Sequence, residues 1–159
     1  MNSVPGVTWH WHSFQELSNS QLYAMLKLRQ DVFIIEQDCI YPDIDDLDPH
    51  CMHLLGYKEN QLIAYLRLIP AEISNSGNIS LGRVITVLHN RGTGLGNALM
   101  NETMVYLAAH FPGEKVQLSA QHHLQSYYHK FGFTSFGEPY DEDGILHIAM
   151  QYYPIKGTN

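Results

Sequence analysis

Between Ile79 and His110 the chain passes from a strand pattern, ISLGRVITVL, to helical spacing, and it does so across the stretch HNRGTGLGNALM. Beyond that stretch Leu95, Ala98, Leu99, Tyr106 and Ala109 recur on one helical face, and Phe111-Pro112-Gly113 closes the helix. Gly92, Gly94 and Gly96 alternate with Arg91, Thr93 and Leu95 at the junction. Glycine loses more backbone entropy on folding than any other residue, so three together need a physical reason. A close-packed strand–helix turn is the plainer one. The other is an anion site: the first N–H groups of a helix have no partner within the helix, the dipole adds partial positive charge, and glycines let phosphate oxygens reach those groups.

The rest of the chain arranges itself around this unit. WHWHSF alternates as a strand, and Asn19 or Ser20 is expected to cap a helix through LYAMLKLRQDVFIIEQ, where Leu22, Met25, Leu26, Arg29 and Phe33 share helical spacing. YPDIDDLDPH, acidic and punctuated by proline, reads as a loop. CMHLLGY and QLIAYLRLIP form a hairpin around Lys58-Glu59-Asn60. After the central helix, KVQLSA is a short strand and HLQSYYHKF a short helix, with Gly132 placed where a helix end favours a left-handed residue. TSFGEPY and ILHIAMQYY pair as a closing hairpin. The order is mixed α/β with one strand–helix–strand unit at its centre, and no repeat or linker divides it.

Charge narrows the partners. A net charge of −7 argues against nucleic acid and against an anionic membrane surface, and suits a cationic or amine-bearing ligand better. The two cysteines, Cys39 and Cys51, are too few for a disulfide scaffold in a chain this short. Without a secretory pattern at the start or an apolar run of membrane-spanning length, the chain reads as soluble and cytoplasmic.

Two phosphate-binding devices fail on the residues. No Gly-Lys-Ser/Thr follows for a P-loop, and from Gly92 the third position of a dinucleotide fingerprint is Asn97. What fits is R-x-x-G-x-G, at Arg91, Gly94 and Gly96. With it goes Y-x-x-x-G-F at Tyr128, Gly132 and Phe133, following the strand KVQLSA. On these two motifs and the element order, the chain resembles the GCN5-related N-acetyltransferase (GNAT) superfamily over roughly residues 7–151, as a single domain. LRQDVFIIEQDCIYPDIDDLD and DEDGILHIAM further resemble the bacterial ElaA-like branch. Two departures stand in the approach to the motif: Leu88 where the family commonly has proline, and Thr86 where an aliphatic residue is usual. Neither removes an N–H donor.

The resemblance implies an α+β fold, a mixed and mostly antiparallel sheet of six to seven strands flanked by about four helices. It implies acetyl-coenzyme A as cosubstrate, no metal, and direct acetyl transfer to the amine of a small molecule or peptide. Arg91, Gly92, Thr93, Gly94, Leu95, Gly96 and Asn97 would hold the pyrophosphate, and Val84, Ile85 and Thr86 would pair with pantetheine as an added strand does. Tyr128 would serve the departing thiolate. For the base that frees the amine, Glu36 and His147 are both candidates beside a water relay. An imidazole titrates near neutrality, which suits that task. An acyltransferase with another donor or a non-amine acceptor stays open, as does a non-enzymatic coenzyme A sensor or docking module. Family members are often dimers, so a homodimer is a further expectation.

The remaining clusters are weaker. Asp43 cannot begin an EF-hand, because glycine and glutamate are missing at the sixth and twelfth positions, Asp48 and Leu54. Asp43, Asp45, Asp46 and Asp48 read first as a solvated loop and second as a mouth that concentrates a cationic amine. Cys39, His50, Cys51 and His53 lack the pairing of a zinc site, and His10, His12, His122 and His123 lack further ligands. No G-x-S-x-G elbow supports a covalent hydrolase.

Overall fold

A computed structural model describes residues 4–155. Seven strands form one sheet: β1 (Val7–Ser13), β2 (Met52–Lys58), β3 (Gln61–Ile69), β4 (Ile79–Thr86), β5 (Val116–Gln121), β6 (Thr134–Glu142) and β7 (Ile145–Tyr152). Their spatial order is β1-β2-β3-β4-β5-β7-β6, and every pairing is antiparallel except β4 with β5. Among the described residues three α-helices accompany it: α1 (Asn19–Arg29), α2 (Leu95–His110) and α3 (Gln125–His129). The expected mixed, mostly antiparallel sheet is present, with three helices rather than four.

Two local expectations are corrected. The cap of α1 is Ser18, not Asn19 or Ser20: its hydroxyl accepts from Gln21 N at 3.1 Å while Gln21 Oε1 accepts from Ser18 N at 2.8 Å, a reciprocal capping box. The helical run also does not continue as one α-helix to its end, because Gln30–Glu36 winds as a π-helix. Widened turns of this kind cluster at functional sites, and this one carries Glu36.

β3 is buried along seven consecutive residues, Leu62–Leu68, because helices cover both its faces. On one face Leu54, Leu66 and Leu68 pack with Leu99 and Leu107 of α2; on the other Leu55, Tyr65 and Ile85 pack with Met25 of α1. Alternation along β2 and β3 therefore feeds two cores. The hairpin between them turns at Glu59-Asn60, both with positive φ, as a two-residue turn between twisted strands requires.

Candidate active site

The sheet opens at its centre. β4 and β5 pair only through Ile79–Leu81 against Val116–Leu118, whereas β5 stays paired with β7 as far as Gln121 opposite His147. Past Leu81 the β5-facing edge of β4 is therefore free. A β-bulge assists the divergence: the register against β3 shifts between Tyr65 and Arg67, and Arg83 takes φ 52°. A bulky non-glycine residue held at positive φ costs of order 1–3 kcal/mol, and such strain gathers at functional sites. Val84, Ile85 and Thr86 follow the bulge directly.

α2 begins beside this opening. Gly94 caps it at φ 88°, ψ 5°, with no side-chain cap. The N–H groups of Gly96 and Asn97 make no hydrogen bond to any described residue. The glycines divide their work. A Cβ on Gly94 would meet nothing within 4 Å, so Gly94 answers the left-handed backbone; a Cβ on Gly96 would stand 3.1 Å from the Tyr127 hydroxyl. That hydroxyl donates to the Gly96 carbonyl at 2.6 Å and ties α3 to the start of α2. The packing role and the open N–H groups thus coexist. Thr93 pins the turn by donating to the Asn90 carbonyl.

Two cavities meet here. The smaller, about 480 Å³, is lined by Val84, Thr86, Arg91, Gly92, Gly94, Gly96 and Asn97 with Tyr127 and Tyr128. The larger, about 660 Å³, holds Glu36, Ile85, Tyr128 and His147 among its lining residues. Thr93 and Leu95 line neither, and the Leu95 side chain is buried in the α2 core. Tyr128 belongs to both cavities and is 7% exposed; its hydroxyl has no hydrogen-bond partner among the described residues, and burial pushes its pKa up to about 12. It stays protonated across the physiological range.

The two expected bases differ in their surroundings. Arg91 grips both oxygens of Glu36, at 2.7 and 3.1 Å, while its Nε donates to the Thr86 carbonyl at 2.9 Å. His147 is buried, with Nδ1 2.7 Å from the Ile145 carbonyl and Nε2 3.3 Å from Glu142 Oε2. Ser119 and Glu142, which sequence reasoning missed, line the same cavity. The one signal for Glu142 was its place beside His147 across the closing turn, and nothing in the residues alone fixed that register.

The acidic loop corrects both of its readings. Asp43 and Asp48 are neither solvated nor a charged mouth but buried, and they carry an ion network through the α1 side of the sheet. Arg29, fully buried, donates to Asp43 at 2.9 Å and Asp48 at 2.7 Å; Arg67 donates to Asp45 at 2.8 Å and Asp48 at 3.0 Å; Arg83 donates to Asp43 at 2.8 Å. Burial works against charge on Asp48, yet the hydrogen bond and charge of Arg29, with Arg67 beside it, hold its carboxyl below the usual range. Only Asp46 of the four is exposed. His53, another former zinc candidate, donates from Nε2 to the Asp48 carbonyl at 3.0 Å and accepts from the Tyr65 hydroxyl at 2.6 Å, so it is a satisfied core histidine. Among the described residues no group of three His, Cys, Asp or Glu could hold a metal ion.

A splayed parallel pair, a helix start without a side-chain cap beside it and a tyrosine joining two cavities define the acyltransferase architecture of the GNAT fold. The acetyltransferase (GNAT) domain model matches residues 18–154, and the chain belongs to that family and is an acyltransferase. It is 43% identical to protein ElaA of Escherichia coli, over 91% of this chain and 95% of the relative, and 40% identical to a UPF0039 protein of Synechocystis over 91% and 94%. The crystal structure of Escherichia coli ElaA superposes with a TM-score of 0.85 at 42% identity, covering 91% of this chain and 98% of that one. An acyl-CoA N-acyltransferase from Pseudomonas aeruginosa gives 0.86 at 39% identity with the same coverage.

Proposed function

We propose that this protein, as a single domain over residues 7–151 acting in the cytoplasm, transfers an acetyl group from acetyl-coenzyme A directly to the amine of a small molecule or peptide. The observation that carries the reading is the junction at Tyr128, where the cleft bearing open N–H donors meets an adjoining cavity large enough for a second substrate. The residues fit the cosubstrate by a specific test: the N–H groups of Gly96 and Asn97 are unpaired and the β4 edge beside them is free. In this reading those N–H groups receive the pyrophosphate, with Gly92 to Gly94 shaping the approach. The backbone of Val84 to Thr86 pairs with the pantetheine arm. Arg91, whose side chain already holds Glu36 and Thr86, acts by fixing the turn.

When bound, acetyl-coenzyme A supplies the activated acyl group and a good leaving thiolate. Tyr128 donates a hydrogen bond to the sulfur as charge develops there. A thiol titrates near 8.5 and this phenol near 12, so the tyrosine stabilises the thiolate without surrendering its proton outright. His147 is assigned the base and Glu36 the anchoring of Arg91. Isothermal titration with acetyl-coenzyme A, with NAD and ATP as controls, tests the reading. Selective micromolar binding is expected, followed by acetylation in an amine screen; absence of binding overturns it.

A further inference from the structure

We propose that Glu142 and His147 act as one proton acceptor and that the larger cavity takes its acceptor as an ammonium ion. This inference rests on the acyl-transfer reading above. The carbonyl of Ile145 can only accept, so His147 Nδ1 carries the ring proton and Nε2 presents a lone pair. Nε2 stands 3.3 Å from Glu142 Oε2. Two acceptors that close repel each other unless a proton or an N–H donor lies between them.

The arrangement is held on several sides. Ser119 on β5 stands 3.4 Å from Glu142 Oε1 and is hydrogen-bonded to the Tyr140 hydroxyl, while the Tyr140 ring stacks on His147 at 6.2 Å. Charge around the cavity points the same way. Arg67 and Arg83 are matched by Asp43, Asp45 and Asp48, and Arg91 by Glu36. Glu142 and Asp143 are the carboxylates of the lining that have no arginine or lysine partner among the described residues. A cationic amine is the donor that both charge and geometry lack.

The step balances simply. One N–H bond of the bound ammonium breaks, its proton moves to His147 Nε2, and the electron pair stays on the now neutral nitrogen for attack on the acyl carbon. The imidazolium is held by the Glu142 carboxylate, which is 48% exposed and passes the proton on to water.

Two amines of nearly equal size separate this role from a structural one: ethylamine, protonated at neutral pH, and methoxyamine, neutral there. Enzyme-dependent release of coenzyme A from acetyl-coenzyme A is followed at pH 7 for wild type, Glu142→Gln and Glu142→Asp. For ethylamine, Glu142→Gln is expected to lower kcat/KM at least about tenfold, with part of the rate restored in Glu142→Asp, while methoxyamine changes less than about twofold. Equal losses with both amines, or none with ethylamine, overturn the proposal. Calorimetry with acetyl-coenzyme A on the same variants checks that the donor cleft is intact. If acetyl-coenzyme A binds but wild type transfers to neither amine, the transferase reading fails first and this inference with it.

Discussion

The cleft at the start of α2 and the cavity beside it share Val84, Thr86, Arg91, Leu124 and Tyr128, but the rest of each is built from different material. The cleft is made of backbone: unpaired N–H groups, a free strand edge and a left-handed Gly94. Nine consecutive residues from Arg83 to Arg91 lead into it, and α2 starts four residues later. The cavity is made of side chains drawn from the π-helix, the acidic loop, β3, β4, β5 and the β6–β7 hairpin. Its wall stands on the ion network of Arg29, Arg67 and Arg83 with three aspartates. Backbone sites tolerate side-chain change but not a change of turn; side-chain sites fail when one partner leaves a buried charge alone.

The largest effect expected from breaking this difference is therefore on the cavity side. Asp48→Asn removes the charge facing Arg29 and Arg67, both almost wholly buried. Removing one partner of a buried pair costs about 3–5 kcal/mol, because the remaining charge is stranded. Urea unfolding should show a loss of that size in stability. A loss below about 1 kcal/mol would mean that solvent reaches the network.

On the cleft side the sharper lever is Gly94. There is room for a side chain, so Gly94→Asp should fold with modest strain while placing a carboxylate among the N–H donors proposed to receive the pyrophosphate. Acetyl-coenzyme A affinity should fall at least about a hundredfold, equivalent to roughly 2.7 kcal/mol. Gly94→Asn, with the same shape and no charge, should keep most of the affinity. If the two variants weaken binding alike, turn geometry rather than anion recognition governs the site.

The same division explains what the sequence could say. The cleft is local, so R-x-x-G-x-G and the change from strand to helix spell it out within some twenty residues. Tyr128 is legible because Gly132 and Phe133 follow at fixed spacing, and Gly132 does take φ 95°. The cavity depends on register. Glu142 meets His147 only because the hairpin turns at Asp143-Gly144 and pairs Glu142 with Ile145. Asp43 meets Arg29 and Arg83 across 14 and 40 residues. Hydrophobic period put Arg29 on the buried face of α1 correctly, but period carries no information about which carboxylates come to neutralise it. The acidic loop accordingly read as solvated, although Asp43, Asp45 and Asp48 turn inward to pair with arginines.

At the shared wall, Tyr128→Phe removes a hydroxyl that touches both regions without altering their packing against Tyr127 and Phe133. Turnover should fall roughly tenfold, about 1.4 kcal/mol, with acetyl-coenzyme A affinity within about twofold of wild type. Unchanged kcat would assign thiolate stabilisation to another donor. A fall in affinity alone would make Tyr128 part of the cleft and not of the junction.

The smallest effect is a pH dependence rooted under the cavity. His53 is buried, and burial pulls its pKa down by penalising the charged ring; protonation would also break the bond that its Nδ1 accepts from Tyr65. A histidine depressed in the fold binds its proton more readily when unfolded, near pH 6.5. Its contribution is complete above that value and is lost as the pH falls through it towards the lower folded pKa. Asp45 and Asp48, also depressed, add their loss only below about pH 5, where the unfolded carboxylates begin to protonate. Two acid steps should therefore appear in urea midpoints measured from pH 8 to 3. His53→Gln should abolish the upper step and leave the lower. Persistence of the upper step would move its source to another of the chain's histidines, and would detach His53 from the network that supports the cavity wall.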